Sequence, residues 1–359
     1  MAGNTRFSGD TGYRGVVKLS KNGKQLDYTS ANANMIILLA TSGQFTQTHN
    51  PIFSTGDWGA GYMNISERVA YANNIIRVEG SMGCEVTAGD GFTAMQNFAF
   101  TNRGAANGTS LLIYPNGETG FQGVGWCTSL SFAMSQDAIL TADMNWSSYI
   151  DGESNVITTG ENHNTPYGAT GTSGGNAAPP QDSDGNYLPF AYNSLYPYWG
   201  SSVYGANDTL YYDIMSWNAG YDSSIEMLKC CGTSNSHGDA LLSTGTDINS
   251  APVAPDYLGL GPMNATCSWE IFKLTGEFDY NMFHKEREAT FLITTPMDGN
   301  TPGERLTGTH CYKIYLAKIV CDSNSSQIQT GNGWITASFN YSAIGNGKDA
   351  PMAIIPRNS

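Results

Sequence analysis

The sequence has few charged residues, very few basic ones and no long apolar run. Charged side chains make up 13% of its 359 residues, and 17 Lys and Arg stand against 31 Asp and Glu, which gives a formal net charge of −14. A protein that holds nucleic acid neutralises phosphates with Lys and Arg, so this balance argues against DNA binding. No apolar run approaches the length of a membrane span, and residues 36–40 indicate a buried strand at most.

Basic residues are also unevenly distributed. Residues 1–150 hold 8 Lys and Arg against 10 Asp and Glu, whereas residues 151–359 hold 9 against 21. Between Arg103 and Lys229 there are 12 acidic residues and no basic one. A surface that lets DNA pass without holding it would be acidic or neutral. Acidic loops that keep a protein soluble would give the same composition, and both interpretations stay open.

The seven cysteines are odd in number and irregular in spacing, and no CxxC pair occurs among them. A zinc site is therefore not predicted. The first fifteen residues lack the basic and apolar regions of a signal peptide, so we expect synthesis in a reducing cytoplasm. Cys127 and Cys311 follow strand-like patterns, and we expect both to be buried apolar thiols.

Motifs that carry chemistry are also lacking. Residues 171–175 formally match GxSxG, but no strand precedes them and no helix follows, so they do not predict a nucleophile elbow. The glycines of 120–125 have the wrong spacing for dinucleotide binding. Residues 182–186 resemble part of a calcium loop but lack its glycine and distal glutamate positions. We therefore expect no enzyme, no catalytic residue, no cofactor and no metal site.

Glycine, tyrosine and tryptophan are abundant, and this composition favours many short strands joined by turns. The clearest pattern lies in residues 126–146. Leu130, Phe132 and Met134 alternate with small residues, and a second alternating run follows a Ser-Gln-Asp turn that ends at Asp137. Alternation with period two is typical of a half-buried strand, so this stretch predicts a β-hairpin.

A second hairpin near the C-terminus resembles the first. Residues 139–148 are similar to 334–343, the segment after Cys127 parallels the one after Cys311, and residues 111–117 parallel 291–299. The offset drifts from 180 (Ile113 to Ile293) through 184 (Cys127 to Cys311) to 195 (Ala142 to Ala337). Loop insertions between two copies of one unit would produce such a drift, so we interpret the chain as a duplicated β-domain.

These patterns predict a mainly β protein with two tandem β-sandwich or barrel-like domains and few short helices. We place the first domain at 1–155, a Gly/Pro/Ser-rich linker or exposed loop at 156–190, and the second domain at 191–359. Residues 64–74 are the best helix candidate because Asn64 can cap and Glu67 follows three residues later. Residues 92–102 are expected to form a strand.

Two further segments have two readings each. The aromatic stretch 187–204 is a candidate interface between subunits, although a domain core is equally consistent with it. Its candidate interface residues are Tyr196, Tyr198, Trp199 and Tyr204. The apolar segment 352–355 could dock on a neighbouring subunit or pack on its own domain.

The paired hairpins 128–147 and 312–342, together with the helix candidate 64–74, resemble the tail tube proteins of tailed bacteriophages. The resemblance implies a structural virion protein whose β-sandwich subunits form rings, which stack into the tube through which DNA is ejected. Members with one tube domain form hexameric rings, and members with two fused domains form trimeric rings with pseudo-sixfold symmetry. The resemblance also implies a location in the virion tail, assembly in the host cytoplasm and contacts with other tail proteins. DNA would pass without specific binding.

The first hairpin carries Asp137 and Asp143 and no basic residue, so these two are our candidate lumen-facing residues. The second hairpin carries Lys313 and Lys318, which weakens the same assignment there. Two alternatives remain. One is another virion β-structure, such as a baseplate, tail-tip, capsid decoration or receptor-binding protein, with 187–204 as its ligand surface. The other is a carbohydrate-binding β-protein, since exposed Trp and Tyr stack on sugars.

Overall fold

The computed structural model confirms the predicted mainly β fold. It describes residues 16–23, 35–49, 52–53, 71–72, 75–103, 108–115, 119–152, 154–159, 189–191, 195–199, 209–210, 214–228, 254–272, 287–293, 311–328, 335–345 and 350–356. These residues form twenty strands, one short α-helix and one π-helical turn.

The strands of the first half are β1 (Val16–Ser20), β2 (Met35–Ile37), β3 (Leu39–Thr48), β4 (Ile52–Phe53), β5 (Tyr71–Ala72), β6 (Arg77–Glu85), β7 (Thr109–Tyr114), β8 (Thr119–Ser135), β9 (Thr141–Tyr149) and β10 (Val156–Thr159). Those of the second half are β11 (Leu195–Trp199), β12 (Thr209–Leu210), β13 (Ile214–Asp222), β14 (Ile225–Leu228), β15 (Tyr257–Leu260), β16 (Asn264–Ile271), β17 (Arg287–Ile293), β18 (Tyr312–Ile328), β19 (Ile335–Ala343) and β20 (Met352–Pro356). The helix α1 (Asp90–Gln96) continues into the π-helical turn Asn97–Thr101.

The two halves have the same strand pairing. In the first half the strands are ordered β2-β1-β7-β8-β9-β6-β3, with β10 also on β8 and a separate β4–β5 pair. In the second half the order is β12-β11-β17-β18-β19-β16-β13, with β20 also on β18 and a separate β14–β15 pair. Each strand of the second half thus corresponds to the strand ten places earlier. All these pairs are antiparallel.

The two predicted hairpins match in detail. β8 and β18 have 17 residues each, and β9 and β19 have nine. A register shift lies between Cys127 and Ser129 in one hairpin and between Cys321 and Ser323 in the other. Cys321 therefore stands at the position of Cys127, and the sequence-based match of Cys127 with Cys311 was wrong. Both Cys127 and Cys311 are buried, as expected.

Long strands carry the chain between two layers. The first residues of β8 pair with β7 and β10, and its residues from Trp126 onwards pair with β9. Aromatic contacts hold the layers together, with ring centroids 5.1 Å apart for Phe121 and Trp146 and 4.6 Å apart for Trp217 and Phe291. One continuous hydrophobic core runs through both halves. Burial of such side chains is the main stabilising contribution.

The helix lies where a strand was expected. Residues 90–101 are helical, so the strand prediction for 92–102 was wrong. Phe92, Met95 and Phe98 recur every three residues and are all buried, which is a helical spacing that the strand interpretation overlooked. Phe92 contacts Tyr312 of the second half, with ring centroids 4.2 Å apart. The helix therefore packs between the two halves.

The predicted helix at 64–74 falls mostly outside the described residues. Its one described part, Tyr71–Ala72, is strand β5 and pairs with β4. A β-strand at these two positions contradicts a helix that extends through them. Asn64 and Glu67 lie outside the described residues.

The predicted linker is described only at its two ends. Val156–Thr159 form β10 on β8, and Phe190 is fully buried. The backbone of Phe190 donates to Val86 O at 3.3 Å and accepts from Leu140 N at 2.8 Å. Both ends are thus attached to the first half. Residues 160–188, with the GxSxG match and the calcium-like segment, lie outside the described residues, and the domain boundaries stay a prediction.

The apolar tail packs on its own chain. Met352–Pro356 form β20, which pairs with β18, and Met352 and Ile354 are buried. Of the two readings of this segment, the structure supports packing within the subunit.

Candidate functional site: the polar face

A single run of eight strands crosses the molecule because the two halves join. β13 pairs with β8 over seven register positions, from Ser216 opposite Ser135 to Asp222 opposite Ser129. The order across this run is β3-β6-β9-β8-β13-β16-β19-β18, in which each half contributes four equivalent strands. We call the β8–β13 contact the internal joint.

One side of this run is buried and apolar, and the other is small and polar. The buried side includes Val78, Met82, Met144, Trp146, Leu130, Phe132, Trp217, Tyr221, Cys267, Trp269, Phe339 and Tyr341. The other side, which we call the polar face, includes Ser42, Gln44, Thr46, Glu79, Ser81, Asp143, Asn145, Ser129, Ser131, Asn218, Gly220, Thr266, Ser268, Ser338, Asn340, Ser323 and Ser325. Alternation with period two produces this separation.

Short side chains on the polar face bond to one another across strands. Asn145 Nδ2 donates to Ser129 Oγ at 2.8 Å, and the equivalent Asn340 Nδ2 donates to Ser323 Oγ at 2.9 Å. Near the internal joint, Ser268 Oγ donates to Asn218 Oδ1 at 3.1 Å. Bonds among neighbours hold the polar groups close to the sheet, so the face presents few long side chains.

Acidic residues strongly outnumber basic ones on the eight strands. The segments 39–48, 77–85, 126–135, 141–149, 214–222, 264–271, 319–328 and 335–343 contain one basic residue, Arg77. They contain six acidic ones, which are Glu79, Glu85, Asp143, Asp222, Glu270 and Asp322. A surface with this balance repels phosphate and offers one cation, Arg77, against six carboxylates.

The polar face contains two depressions. One depression crosses five strands and is lined by Ser135, Thr141, Asn218, Ser268 and Asn340, among others. A second lies towards β3 and is lined by residues that include Gln44, Glu79, Ser81 and Asn145. Both depressions are therefore lined by residues of the polar face.

Of the two candidate lumen residues, Asp143 lies on this face and Asp137 lies in the turn that follows β8. Asp143 is exposed on β9, opposite Ser131 of β8 and Gly83 of β6. Asp137 is exposed in the turn between β8 and β9, with a positive φ of 61°. Lys313 and Lys318 precede the part of β18 that belongs to the eight strands, and Lys313 pairs with β17 and β20 instead. The lysines that weakened the sequence-based assignment therefore lie outside the polar face.

The candidate interface residues lie elsewhere. Tyr196, Tyr198 and Trp199 belong to β11, which pairs with β12 and β17 in the other layer, and Tyr204 lies outside the described residues. The acidic residues of β6, β13, β16 and β18 were missed by sequence reasoning. Their position opposite buried residues in alternating strands was the signal that could have found them.

Two buried titratable groups near the internal joint, Cys127 and Tyr221, favour their neutral forms. Burial raises the pKa of the Cys127 thiol to about 12, and burial also raises the pKa of the Tyr221 phenol. Tyr221 Oη donates to Ala99 O at 2.6 Å, and the Arg103 guanidinium lies 5.2 Å from the Tyr221 ring centroid. These contacts join β13 to the helical segment of the first half and are structural in character.

Two other kinds of site, a metal centre and a membrane-spanning helix, are absent from the described ranges. No group of three or more His, Cys, Asp or Glu side chains there could hold a metal ion. No described helix is long and apolar enough to cross a membrane.

Comparison with known proteins finds similarity only among solved structures. No family model and no curated protein matches the sequence. The SPP1 tail tube matches at 10% identity and a TM-score of 0.27, over 47% of this chain and 80% of that chain. The tail of an empty GTA particle, with C6 symmetry, matches at 13% identity and a TM-score of 0.28, over 42% of this chain and 99% of that chain. At these TM-scores the matches do not establish a family or a function.

Proposed function

We propose that this protein is the structural subunit of a bacteriophage tail tube. Copies associate side by side into a ring with the polar face turned inwards, and rings stack into a conduit for DNA ejection. The protein then belongs to the virion tail, is assembled in the host cytoplasm, contacts other tail proteins and is not an enzyme. The observation that carries the proposal is the continuous eight-stranded sheet, whose polar face is acidic and lacks lysine.

Closure into a ring would give hydrogen-bonding partners to the backbone groups of the two edge strands of this sheet. An open sheet edge exposes unpaired backbone groups and invites association with other chains. A sheet that closes on itself removes both edges and fixes the number of copies. A lumen lined by short hydroxyl and amide side chains would hold no phosphate, because neutral polar groups give little attraction and carboxylates repel.

The duplicated strand pattern supports a trimer. Each chain carries two equivalent sets of four strands, which correspond to β3, β6, β9 and β8 and to β13, β16, β19 and β18. Single-domain members of the family that the sequence resembles form hexameric rings. Three chains of this protein would supply the same six sets and give pseudo-sixfold symmetry.

Negative-stain electron microscopy of the purified protein, combined with its mass in solution, tests the proposal. We expect hollow tubes or stacked rings whose end views show threefold or pseudo-sixfold symmetry. Small particles that bind a receptor or glycan, with no ring at any concentration, would instead favour a tail-tip, decoration or carbohydrate-binding role.

A further inference from the structure

Within the described ranges, two strand edges lack the partner that their equivalents have. β13 corresponds to β3, and the last part of β8 corresponds to residues 323–328 of β18. Among the described residues, β3 pairs only with β6, and residues 323–328 pair only with β19. The internal joint therefore occurs once per chain, although the strands that could form it occur twice.

Side chains at the internal joint are also more buried than their equivalents on the two unpaired edges. Tyr221 of β13 is buried at the internal joint, whereas Gln47, its equivalent on β3, is exposed. Leu130 of β8 is buried, whereas Asn324, its equivalent on β18, is only half-buried. A second joint would cover the edges that carry Gln47 and Asn324.

The correspondence can be fixed residue by residue. β3 has a register shift between Ala40 and Ser42 against β6, and β13 has the same shift between Ile214 and Ser216 against β16. Subtracting 42 from 216 gives an offset of 174 from β3 to β13. The matched bulges give an offset of 194 from β8 to β18, because 323 minus 129 is 194.

We infer that β3 of one copy pairs antiparallel with residues 323–328 of β18 in a neighbouring copy, in the register of the internal joint. The pair Asp222–Ser129 then translates into Thr48 opposite Ser323, and Asn218–Ala133 translates into Gln44 opposite Gln327. This inference rests on the proposed ring, and it adds which edges meet and in which register.

Chemistry favours a second copy of this chain as the partner. Neither β3 nor residues 323–328 contain a charged residue, so no like charges oppose the pairing. Both edges are rich in Ser, Thr, Asn and Gln, whose side chains can hydrogen-bond across strands. The joint would also carry the polar face without a break from one copy to the next, since Thr48 and Ser323 correspond to two residues already on that face.

At the position of Gly220 the intermolecular joint needs a wider strand spacing than the internal joint. A Cβ on Gly220 would lie 2.4 Å from Leu130 O, so the strands approach closely there. The equivalent residue of β3 is Thr46, which requires ordinary strand spacing. We therefore base the test on the cross-strand pair Thr48–Ser323, which is equivalent to the pair Asp222–Ser129 of the internal joint.

The test is disulfide crosslinking of the assembled protein. The double variant Thr48→Cys/Ser323→Cys is oxidised beside Thr48→Cys/Ser325→Cys, which is displaced by two residues. Directly opposed residues lie about 4.5–5.5 Å apart and can form a disulfide, whereas diagonal neighbours at about 7–8 Å cannot without backbone movement. We expect loss of the monomer band into a covalent ladder that ends at the ring size, which is three for the proposed trimer. Wild type and the single variants, mixed pairwise, control for native thiols and show that the bond joins two chains.

The outcomes separate the inference from the proposed function. Rings or tubes that crosslink at Thr48–Ser325 instead, or not at all, would overturn this register and leave the tube standing. Crosslinking at Thr48–Ser323 in open chains without rings would support the pairing and refute the closed tube. A protein that stays monomeric at every concentration and does not crosslink would overturn both.

Discussion

The same pair of strands meets two different surroundings in this molecule. At the internal joint, β8 and β13 are held in one chain, and the buried side of their contact is formed by Leu130, Phe132, Trp217 and Tyr221. At the outer edges, the equivalent positions of β18 and β3 carry Asn324, Ser326, Gly43 and Gln47. A permanent contact can be apolar, because it is never exposed once the chain has folded. An edge that waits in water for a partner must stay soluble, and polar residues there limit unwanted association.

The first prediction breaks the internal joint. Gly220→Val places a side chain where a Cβ alone would lie 2.4 Å from Leu130 O and 2.9 Å from Ser131 Cα. Neither atom can yield without moving the β8 backbone, so we expect a loss of about 3 kcal/mol in the free energy of unfolding. Urea denaturation of the unassembled protein measures it.

The equivalent change on the outer edge is the matched control. Thr46 is exposed, so Thr46→Val should change the unfolding free energy by no more than about 0.5 kcal/mol. Equal losses in the two variants would mean that the internal joint contributes nothing special to folding.

The second prediction breaks the proposed intermolecular joint and spares the fold. Two backbone hydrogen bonds show which residues of β13 face β8: Ser223 N donates to Thr128 O at 2.7 Å, and Gln136 N donates to Met215 O at 2.8 Å. In an antiparallel pair every second residue points its N–H and C=O at the partner strand, so Tyr221 also points its backbone groups at β8. The equivalent of Tyr221 is Gln47, whose N–H then points away from β6. Gln47→Pro removes this donor and leaves the β3–β6 ladder intact.

We expect Gln47→Pro to give folded monomers that no longer assemble. Circular dichroism would report the fold, and analytical ultracentrifugation would report the loss of rings. Gln47→Ala keeps the N–H and should assemble as wild type does. Normal assembly of the proline variant would show that this edge takes no part in ring formation.

The third prediction concerns the polar face and leaves both joints in place. Asp143→Lys, alone or with Asp137→Lys, introduces cations on a surface that otherwise has one, Arg77. Attraction to phosphate should then slow or stall DNA release from particles whose tails assemble normally. The effect should shrink as salt is raised, because screening shortens the reach of these charges.

Glu226→Lys supplies the control for net charge. Glu226 is exposed on β14, in the separate two-stranded pair rather than in the eight-stranded sheet. Ejection kinetics that respond equally to Glu226→Lys and Asp143→Lys would remove the support for a lumen at the polar face.

Sequence patterns predicted both hairpins and missed the helix and the contact between the two halves. Both hairpins were evident because alternation is dense in 128–147 and 335–343. The mistaken match of Cys127 with Cys311 has a simple cause, since Cys311 and Cys321 differ by ten residues and an even shift leaves a period-2 pattern unchanged. The internal joint could not be predicted, because nothing in an alternating strand identifies which distant strand will lie beside it. The helix 90–96 was lost because its spacing was read as a strand.

The fourth prediction uses the equivalent thiols Cys127 and Cys321, each of which donates to the carbonyl two residues further on. Burial raises the pKa of Cys127 from its ordinary value of 9.0 to about 12. The unfolded chain therefore loses this proton at lower pH than the native protein, so the stabilisation is complete below pH 9 and is lost as the pH rises towards 12. One unit above the unfolded pKa, the loss is about 1.4 kcal/mol for this thiol. Cys127→Ala should flatten the fall in unfolding free energy between pH 8 and pH 10 by about that amount. An unchanged slope would mean that the Cys127 thiol ionises in the native protein as readily as in the unfolded chain, and would contradict a pKa raised by burial.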